Sequence, residues 1–246
     1  MANLEGLTID RVDLRVRDMD RSAEYWSLLS GTEARPGALL DHAGQPIVTF
    51  HDDDVSSEAP PRAAGLFHVA IRFGTRAALG AALRRVAEAG LRLTGASDHG
   101  VSEALYLRDP DGLGVELYWD RPREVWPEGM FTAPLDLEPI LAEADDHGAP
   151  VDVGHVHLQS SDLEDSRTFW RSHVGLDQTA AMPQAIFLSA DGYHHHIGAN
   201  TWNSAGSPPA PMHAAGITRI VFGVRGGGDG VELDTPEGLL LQISPH

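Results

Sequence analysis

Two stretches of 20 residues decide the fold, VDLRVRDMDRSAEYWSLLSG (residues 12–31) and VHLQSSDLEDSRTFWRSHVG (residues 156–175). In both, a short alternating strand leads to an aspartate that can cap a helix, an aromatic–tryptophan pair that packs inward, and a glycine that ends the helix. The offset stays constant from Asp18 and Asp162 to Gly31 and Gly175. A gapless match of this length indicates an internal repeat, which sets the architecture.

Each half of the chain also contains a second strand that starts the pattern again, GLFHVAIRF at Gly65 and GITRIVFGV at Gly216. A helix is predicted next in the first half, from Thr75 to Gly90, whereas the second half has only RGGGDG there, so that helix is expected to be missing. Four hairpins complete the pattern: ALLDHAGQPIVTF, ALYLRDPDGLGVELY, IFLSADGYHHHIG and VELDTPEGLLLQI. The unit is therefore strand, helix and three strands, present four times with the last copy trimmed.

These four modules, numbered 1 to 4 in chain order, predict an α+β protein. Two modules per half predict one domain at residues 1–121 and a second at residues 151–246. Residues 122–150 would form a linker with a short helix from Leu135 to Ala144.

The composition limits the functions that the chain can have. A formal net charge of −18 at pH 7 should repel nucleic acid and anionic membranes. The absence of cysteine excludes disulfides and thiolate catalysis, and leaves nitrogen and oxygen as metal ligands. Neither a signal peptide nor a membrane span of about 20 apolar residues is recognisable. We therefore expect a cytoplasmic protein with a small-molecule ligand, and the sequence leaves open whether it forms a homo-oligomer.

The paired modules resemble the vicinal-oxygen-chelate superfamily, which includes glyoxalase I, bleomycin-resistance proteins and extradiol ring-cleaving dioxygenases. The stretches SDHGVSEALYLRDPDGLGVELYWDRP (residues 97–122) and GYHHHIGANTW (residues 192–202) are similar to two-domain, catechol-2,3-dioxygenase-like members. The resemblance covers nearly the whole chain. It implies that each pair of modules curls its strands into one cup of a mixed sheet, with metal ligands on the first and last strand of each module.

The repeat shows which residues would occupy these ligand places. The first-strand places fall on Arg11, His68, His155 and Arg219, and the last-strand places, aligned on the hairpin turns, fall on Thr49, Glu116, His196 and Gln242. Because residues i and i+2 of a strand share a face, Asp13 and His157 are expected inside the cups as well.

Modules 3 and 4 would place His155, His196 and Gln242 around a divalent metal, with positions left open for substrate. Alternation puts His194 on the face of His196 and turns His195 away, so His194 is the predicted proton-transfer residue. The resemblance implies Fe(II) or Mn(II), although Ni and Zn also accept these ligands. The alternative is that these histidines are only polar strand residues.

Modules 1 and 2 would bring together His68 and Glu116, a second candidate ligand pair. Their remaining places hold Arg11 and Thr49. Arginine cannot be deprotonated and does not bind a metal. We therefore expect Arg11 to form a charge-assisted pair with Glu116 in place of a metal site.

The leading interpretation is a metal-dependent enzyme that resembles ring-cleaving dioxygenases and acts on a small aromatic or vicinal-oxygen substrate. Those enzymes carry a histidine on both first strands and a glutamate on the last strand of one half, and neither half of this chain holds that set. Two alternatives stay open, a metal-free binding protein of the bleomycin-resistance type and a glyoxalase-type isomerase or lyase. His99 and Tyr106 are weaker candidates for contact with a ligand.

Overall fold

The computed structural model describes residues 4–145, 147–226 and 229–246 and contains the four modules in the predicted order. Module 1 consists of β1 (Thr8–Arg15), α1 (Met19–Ser30), β2 (Ala34–Arg35), β3 (Ala38–Leu40) and β4 (Pro46–His51). Module 2 consists of β5 (Gly65–Phe73), α2 (Arg76–Glu88), β6 (Gly95–Asp98), β7 (Ser102–Arg108) and β8 (Gly114–Asp120). The linker contains a 3₁₀ turn (Arg123–Val125), β9 (Ala133–Pro134) and α3 (Leu137–Ala142).

The second half repeats this order with a shorter final module. Module 3 consists of β10 (Val151–Gln159), α4 (Leu163–Thr168) with a π-helical continuation (Phe169–Val174), β11 (Asp177–Met182), β12 (Ala185–Ser189) and β13 (Ile197–Asn200). Module 4 consists of β14 (Gly216–Val224), β15 (Val231–Asp234) and β16 (Leu240–Pro245). The α+β class and the modular order are confirmed, and α3 lies within the range predicted for the linker helix.

The repeated helix signals act as predicted. The Asp18 side chain accepts a hydrogen bond from the backbone N–H of Arg21 at the start of α1, and Asp162 accepts from two backbone N–H groups at the start of α4. Both glycines that end these helical segments have a left-handed backbone, with φ of 74° at Gly31 and 105° at Gly175. The repeat is therefore a repeat of capping chemistry as well as of sequence.

Module 4 connects β14 and β15 by the stretch in which a helix was expected to be missing. The described residues of this connection, 225–226 and 229–230, are not helical, while Gly227 and Gly228 lie outside the described residues. None of the helices within the described ranges is long and apolar enough to cross a membrane.

The modules pair in a way that differs from the prediction. β1 is antiparallel to β14, so modules 1 and 4 form one cup, called here the terminal cup. β5 is antiparallel to β10, so modules 2 and 3 form the other, called the central cup. The two cups meet where β1 pairs with β10, at Ile9 and Val153.

Pairing within each half was therefore wrong, and the reason is physical. All four modules place their last strand parallel to their first strand, so any two first strands offer equivalent edges. A repeat identifies equivalent strands without specifying which of them pair. The domain boundaries at residues 121 and 151 stay a prediction.

The first strands of modules 2 and 3 are buried on both faces over most of their length. On β5 and β10, the residues that alternate with the ligand places belong to the hydrophobic core; Val69, Ile71, Val156 and Leu158 are at most 1% exposed. Alternation turns the intervening side chains toward the inside of the cup. Because the alternating residues are packed in the core on one face of each strand, the side chains of His68 and His155 point from the opposite face into the cup.

Candidate metal centre

The sheet register defines the ligand places independently of the sequence repeat. In modules 1, 2 and 4, the predicted last-strand ligand pairs with the residue that follows the first-strand place by two positions. These pairs are Thr49 with Asp13, Glu116 with Ala70, and Gln242 with Val221. In module 3 the same position, opposite His157, is Gly198. The alignment that placed His196 there was wrong by two residues, because β12 ends at Ser189 and an irregular connection precedes β13.

Three ligand places of the central cup converge. Nε2 of His68 lies 2.8 Å from Oε2 of Glu116, and Nε2 of His155 lies 3.1 Å from the same oxygen. One ligand atom from each of the three residues lies within 4.8 Å of the others. All three side chains are buried, and within the described ranges no other three His, Cys, Asp or Glu residues meet this condition.

The protonation states expected at this cluster suit a cation. Burial raises the pKa of the Glu116 carboxyl, but the imidazoles of His155 and His68 outweigh that effect and hold this pKa well below its usual value. Burial lowers the pKa of His155 to about 4. A carboxylate beside a neutral His155 imidazole is the state in which these two groups bind a metal.

One buried nitrogen also matches a site that holds an ion. Nε2 of His68 is close to Glu116 but lacks hydrogen-bond geometry and has no other partner among the described residues. Buried polar atoms are ordinarily paired. The donor set of two imidazoles and one carboxylate therefore fits a divalent metal.

The fourth place of the central cup contains no side chain. A Cβ atom added at Gly198 would lie 2.9 Å from Cγ of His157, whose ring covers this glycine. Nε2 of His157 is buried without a hydrogen-bond partner in the described structure, and burial holds the pKa of this imidazole well below its usual value. Three rings surround His157 at centroid distances of 5.1 Å (Phe67), 5.8 Å (Phe187) and 5.6 Å (Trp202).

The three converging residues line a cavity of about 370 Å³. His99 and Tyr106, the weaker candidates from the sequence, also line it, and the Tyr106 hydroxyl lies 2.8 Å from Nε2 of His99. Burial and the neighbouring Glu116 raise the pKa of Tyr106 well above its usual value, which keeps this phenol protonated. The cavity thus combines an anionic ligand, neutral imidazoles and a hydroxyl donor.

The three consecutive histidines point in three directions. His195 lines the cavity, with its ring centroid 4.2 Å from that of His155, although it was predicted to point away. His194, the predicted proton-transfer residue, lies behind it and contacts Asp120. His196 contacts Ser189 and lines a different cavity, of about 900 Å³, between the cups. Alternation failed because it holds only within a strand, and β13 begins after these residues, at Ile197.

The terminal cup has a different set of side chains at the equivalent places. Arg11 Nε donates to Oδ1 of Asp13 at 2.6 Å, and the Thr49 hydroxyl donates to the same oxygen at 2.6 Å. Arg219 Nε lies 3.7 Å from the other oxygen of Asp13, and its Nη1 donates to Oε1 of Gln242 at 3.3 Å. This cup therefore contains an ion-pair network around a single carboxylate.

Two predicted groupings are corrected by this arrangement. The set His155, His196 and Gln242 does not converge, because His155 lines the cavity of the central cup whereas His196 and Gln242 both line the cavity of about 900 Å³. Arg11 forms an ion pair as expected, but with Asp13, because Glu116 lies in the other cup. The choice of Gln242 and the Arg11–Glu116 pair rested on the assumption that neighbouring modules share a cup, and the choice of His196 rested on the misaligned connection before β13.

Sequence reasoning missed Asp120, which contacts His194, Tyr193 and Arg72. A signal for it was present. The rule that placed Asp13 and His157 inside the cups, applied along β8 from Glu116, also places Asp120 on the inward face.

Comparisons with known proteins agree with the fold and the modular order. The family model described as the glyoxalase/bleomycin resistance protein/dioxygenase superfamily matches residues 8–117. The chain is 38% identical over 232 residues to a Bacillus subtilis protein named catechol-2,3-dioxygenase, covering 87% of this chain and 81% of the relative.

Solved structures with this fold cover nearly the whole chain. A putative dioxygenase from Bacillus subtilis superposes with a TM-score of 0.65 at 13% identity, over 99% of this chain and 86% of the other. Glyoxalase I from Zea mays superposes with a TM-score of 0.57 at 15% identity, over 97% of this chain and 92% of the other. The fold, the family match and the 38% identity together establish that the chain belongs to the glyoxalase/bleomycin resistance/dioxygenase superfamily.

Proposed function

We propose that this protein is a metal-dependent ring-cleaving dioxygenase of the extradiol type, acting on a small aromatic diol. The observation that carries the proposal is the convergence of His68, His155 and Glu116 in one buried cluster beside a cavity. Two histidines and one carboxylate with open coordination positions are the ligand set of non-haem Fe(II) oxygenases.

The cluster also contains the set of two histidines and one glutamate that neither half of the sequence holds by itself. The histidines stand on the first strands of modules 2 and 3, and the glutamate stands on the last strand of module 2. This is the set that was missing from each half, and it is completed by one histidine from the other half. The relative named catechol-2,3-dioxygenase, at 38% identity, supports the same activity.

His68, His155 and Glu116 would hold a divalent cation, for which Fe(II) and Mn(II) are our candidates. When bound, the cation would take the two neighbouring oxygens of a diol as ligands and stabilise their negative charge. Gly198 adds no fourth ligand side chain to the cluster, and the His157 ring covers this glycine.

His195 and Tyr106 are the proton-transfer and hydrogen-bonding groups of this proposal. Burial holds the pKa of His195 well below its usual value, so its ring is neutral and able to accept a proton from a substrate hydroxyl. Tyr106 keeps its proton and donates a hydrogen bond to a substrate oxygen during ring opening. This replaces the earlier assignment of direct proton transfer to His194, which does not line the cavity.

The walls of the cavity favour an uncharged ring with an apolar substituent. Phe67, Phe187, Trp202, Met130 and Met182 are among its lining residues, and the rings of Phe67 and Trp202 contact each other. Arg108 is the single lysine or arginine among the described lining residues, and its Nη1 already donates to a backbone carbonyl. A ring carboxylate would therefore find little compensation here, whereas an alkyl group would be buried against aromatic surface.

The test uses protein purified without an affinity tag, loaded with Fe(II) under anaerobic conditions and mixed with 4-methylcatechol and oxygen. We expect absorbance of a ring-opened product in the wild type, and a loss of about 10³-fold or more in Glu116→Gln. Gln242→Ala, which changes the equivalent place of the terminal cup, is the matched control and should retain the activity.

Two outcomes would contradict the proposal in different ways. If the wild type binds one iron per chain and leaves catechols intact, the dioxygenase activity is wrong and a glyoxalase-type isomerisation becomes the next assay. If it binds none of Fe, Mn, Ni and Zn, the metal-free binding protein is the better interpretation.

A further inference from the structure

A hydrogen-bonded row of side chains runs from His195 away from the cavity. Nδ1 of His195 lies 2.8 Å from Nδ1 of His194, and Nε2 of His194 lies 2.8 Å from Oδ1 of Asp120. Both imidazoles are buried, with residue exposures of 8% and 5%. A ring nitrogen donates a hydrogen bond when it carries a proton and accepts one when it does not, whereas a carboxylate oxygen only accepts. The nitrogen that carries the proton in one ring therefore determines which nitrogen carries it in the next ring.

Asp120 determines the direction of the row. Burial raises the pKa of this carboxyl, but the neighbouring His194, Tyr193 and Arg72 side chains together hold the pKa below its usual value. A carboxylate only accepts hydrogen bonds, so Nε2 of His194 must carry the proton. With one proton on each imidazole ring, Nδ1 of His194 is then bare and accepts a hydrogen bond from the protonated Nδ1 of His195. In that arrangement Nε2 of His195 has no proton.

We propose that Asp120 and His194 are positioning residues that hold His195 in the Nδ1–H tautomer, which leaves its Nε2 as the proton acceptor for the cavity. The role of this acceptor in ring cleavage rests on the proposed function, whereas the tautomer itself does not. A second-sphere carboxylate that fixes a histidine tautomer is a known requirement for general-base histidines.

The carboxylate end of the row is held firmly in place. Oδ2 of Asp120 accepts from the Tyr193 hydroxyl at 2.8 Å and lies 3.5 Å from Nη1 of Arg72. The Tyr193 hydroxyl is also 2.8 Å from that of Tyr118. Gly154 makes room for this pair, because a Cβ atom there would overlap the Tyr118 hydroxyl. Asp120 therefore cannot turn away from His194 without breaking several contacts.

The consecutive histidines provide a built-in control. His196 is adjacent in sequence and buried to a similar degree, but its Nδ1 contacts the Ser189 hydroxyl at 2.8 Å and takes no part in the row. Replacing it changes the same local chain without changing the links between His195, His194 and Asp120.

The direct test is long-range ¹H–¹⁵N NMR of the imidazole nitrogens in metal-free, full-length protein labelled at histidine, with His194→Gln, His195→Gln and His196→Gln used for assignment. In the wild type we expect the proton on Nδ1 of His195 and on Nε2 of His194. Asp120→Asn keeps an acceptor oxygen and should preserve both tautomers, whereas Asp120→Leu should release them. A wild-type His195 protonated at Nε2 would overturn the proposal, and this result does not depend on the folding of any variant.

Steady-state kinetics on the Fe(II)-loaded enzyme provide the second measurement. With 4-methylcatechol, Asp120→Leu should lower kcat by about 10²–10⁴-fold, the range for loss of general-base function, and leave KM within about twofold. Asp120→Asn should recover most of kcat, and His196→Gln should match the wild type. Unchanged kcat in Asp120→Leu would refute the positioning role and leave the dioxygenase activity intact. The expected tautomers without any ring cleavage would instead count against the proposed function alone.

Discussion

The terminal and central cups are built from the same module, yet their ligand places contain opposite chemistry. The central cup has two imidazoles, one carboxylate and a glycine at these places. The terminal cup has two guanidinium groups gathered around the carboxylate of Asp13. The comparison shows that strand geometry alone does not make a metal site. The side chains at the ligand places must also offer lone pairs to the cation and include a carboxylate that is free of ion pairs with arginine.

One pair of equivalent residues shows how the difference arises. Asp13 and His157 occupy the same position of the repeat, two residues after Arg11 and His155. Asp13 pairs with both arginines of its cup, whereas His157 covers Gly198 and brings no charge at neutral pH. The carboxylate at this second position thus belongs to an internal ion-pair network, whereas the carboxylate at the last-strand place, Glu116, is the one proposed to bind a cation.

The largest expected difference between the cups is in metal affinity. Replacing His68, His155 or Glu116 with alanine should lower the affinity for Fe(II) or Mn(II) by about 100-fold or more, because loss of even an outer-shell partner costs 10–100-fold. Arg11→Ala and Gln242→Ala should leave it within about threefold. Metal content after dialysis against a competing chelator measures both. Loss of metal in Gln242→Ala would show that the cups were assigned in the wrong order.

A second difference lies in the pH dependence of the hairpin turns. Asp109 in module 2 accepts hydrogen bonds from the backbone N–H of Asp111 and of Leu113, and Thr235 occupies the same turn position in module 4. Burial raises the pKa of Asp109 from 3.8 to about 6. The folded protein therefore retains a proton that the unfolded chain releases, and the free energy of unfolding falls as the pH rises from about 4 to about 6.

Asp109→Asn should remove this contribution, which is on the order of 2–3 kcal/mol for a shift of this size. The difference in stability between variant and wild type should thus change across this pH range and stay constant above it. Urea denaturation at a series of pH values measures the change. Thr235→Val, at the turn without a carboxyl group, is the control and should shift stability equally at each pH. If the stability difference between Asp109→Asn and the wild type were the same at every pH, the raised pKa of Asp109 would be contradicted.

Gly198→Ala tests the empty fourth place. The added Cβ would lie 2.9 Å from Cγ of His157, which is closer than van der Waals contact, so the ring must move. Overpacking of this kind costs about 1–3 kcal/mol. Gly95→Ala, on another strand of the same cavity, adds a Cβ at an ordinary 3.6 Å from Tyr106 and should cost less than about 1 kcal/mol. Equal stabilities of the two variants in chemical denaturation would show that His157 does not occupy this place.

The smallest expected effects concern parts that both cups share. Asp18→Ala and Asp162→Ala remove equivalent helix caps, one in each cup, and should each lower the free energy of unfolding by about 1 kcal/mol. Neither should alter metal content. Unequal losses would show that the helices contribute to the difference between the cups.

Local sequence signals predicted much of this molecule. The caps at Asp18 and Asp162, the four modules and all four first-strand ligand places follow from residue types and spacing, because each depends on neighbouring residues. His68 and Glu116 were named as a second candidate ligand pair for the same reason, although an ion pair with Arg11 was expected there instead of a metal. What failed was the choice of partner for each module, since His155 joins them through strand pairing between the halves.

The triple histidine shows a second limit. Strand alternation predicts directions only while the backbone is extended, and His194, His195 and His196 lie in the irregular stretch before β13. The same stretch displaced the alignment, so that His196 was assigned the place that Gly198 holds. A connection of variable length between two strands cannot be placed by spacing within one sequence.

The central claim is that one divalent metal binds across the two halves, in the central cup alone. The most direct measurement is anomalous diffraction from crystals of the untagged protein loaded with Mn(II) or Fe(II). The account predicts one anomalous peak per chain, at about 2.0–2.2 Å from Nε2 of His68, from Nε2 of His155 and from a carboxylate oxygen of Glu116. A peak beside His196 and Gln242, or loaded crystals with no peak at the central cup, would contradict it.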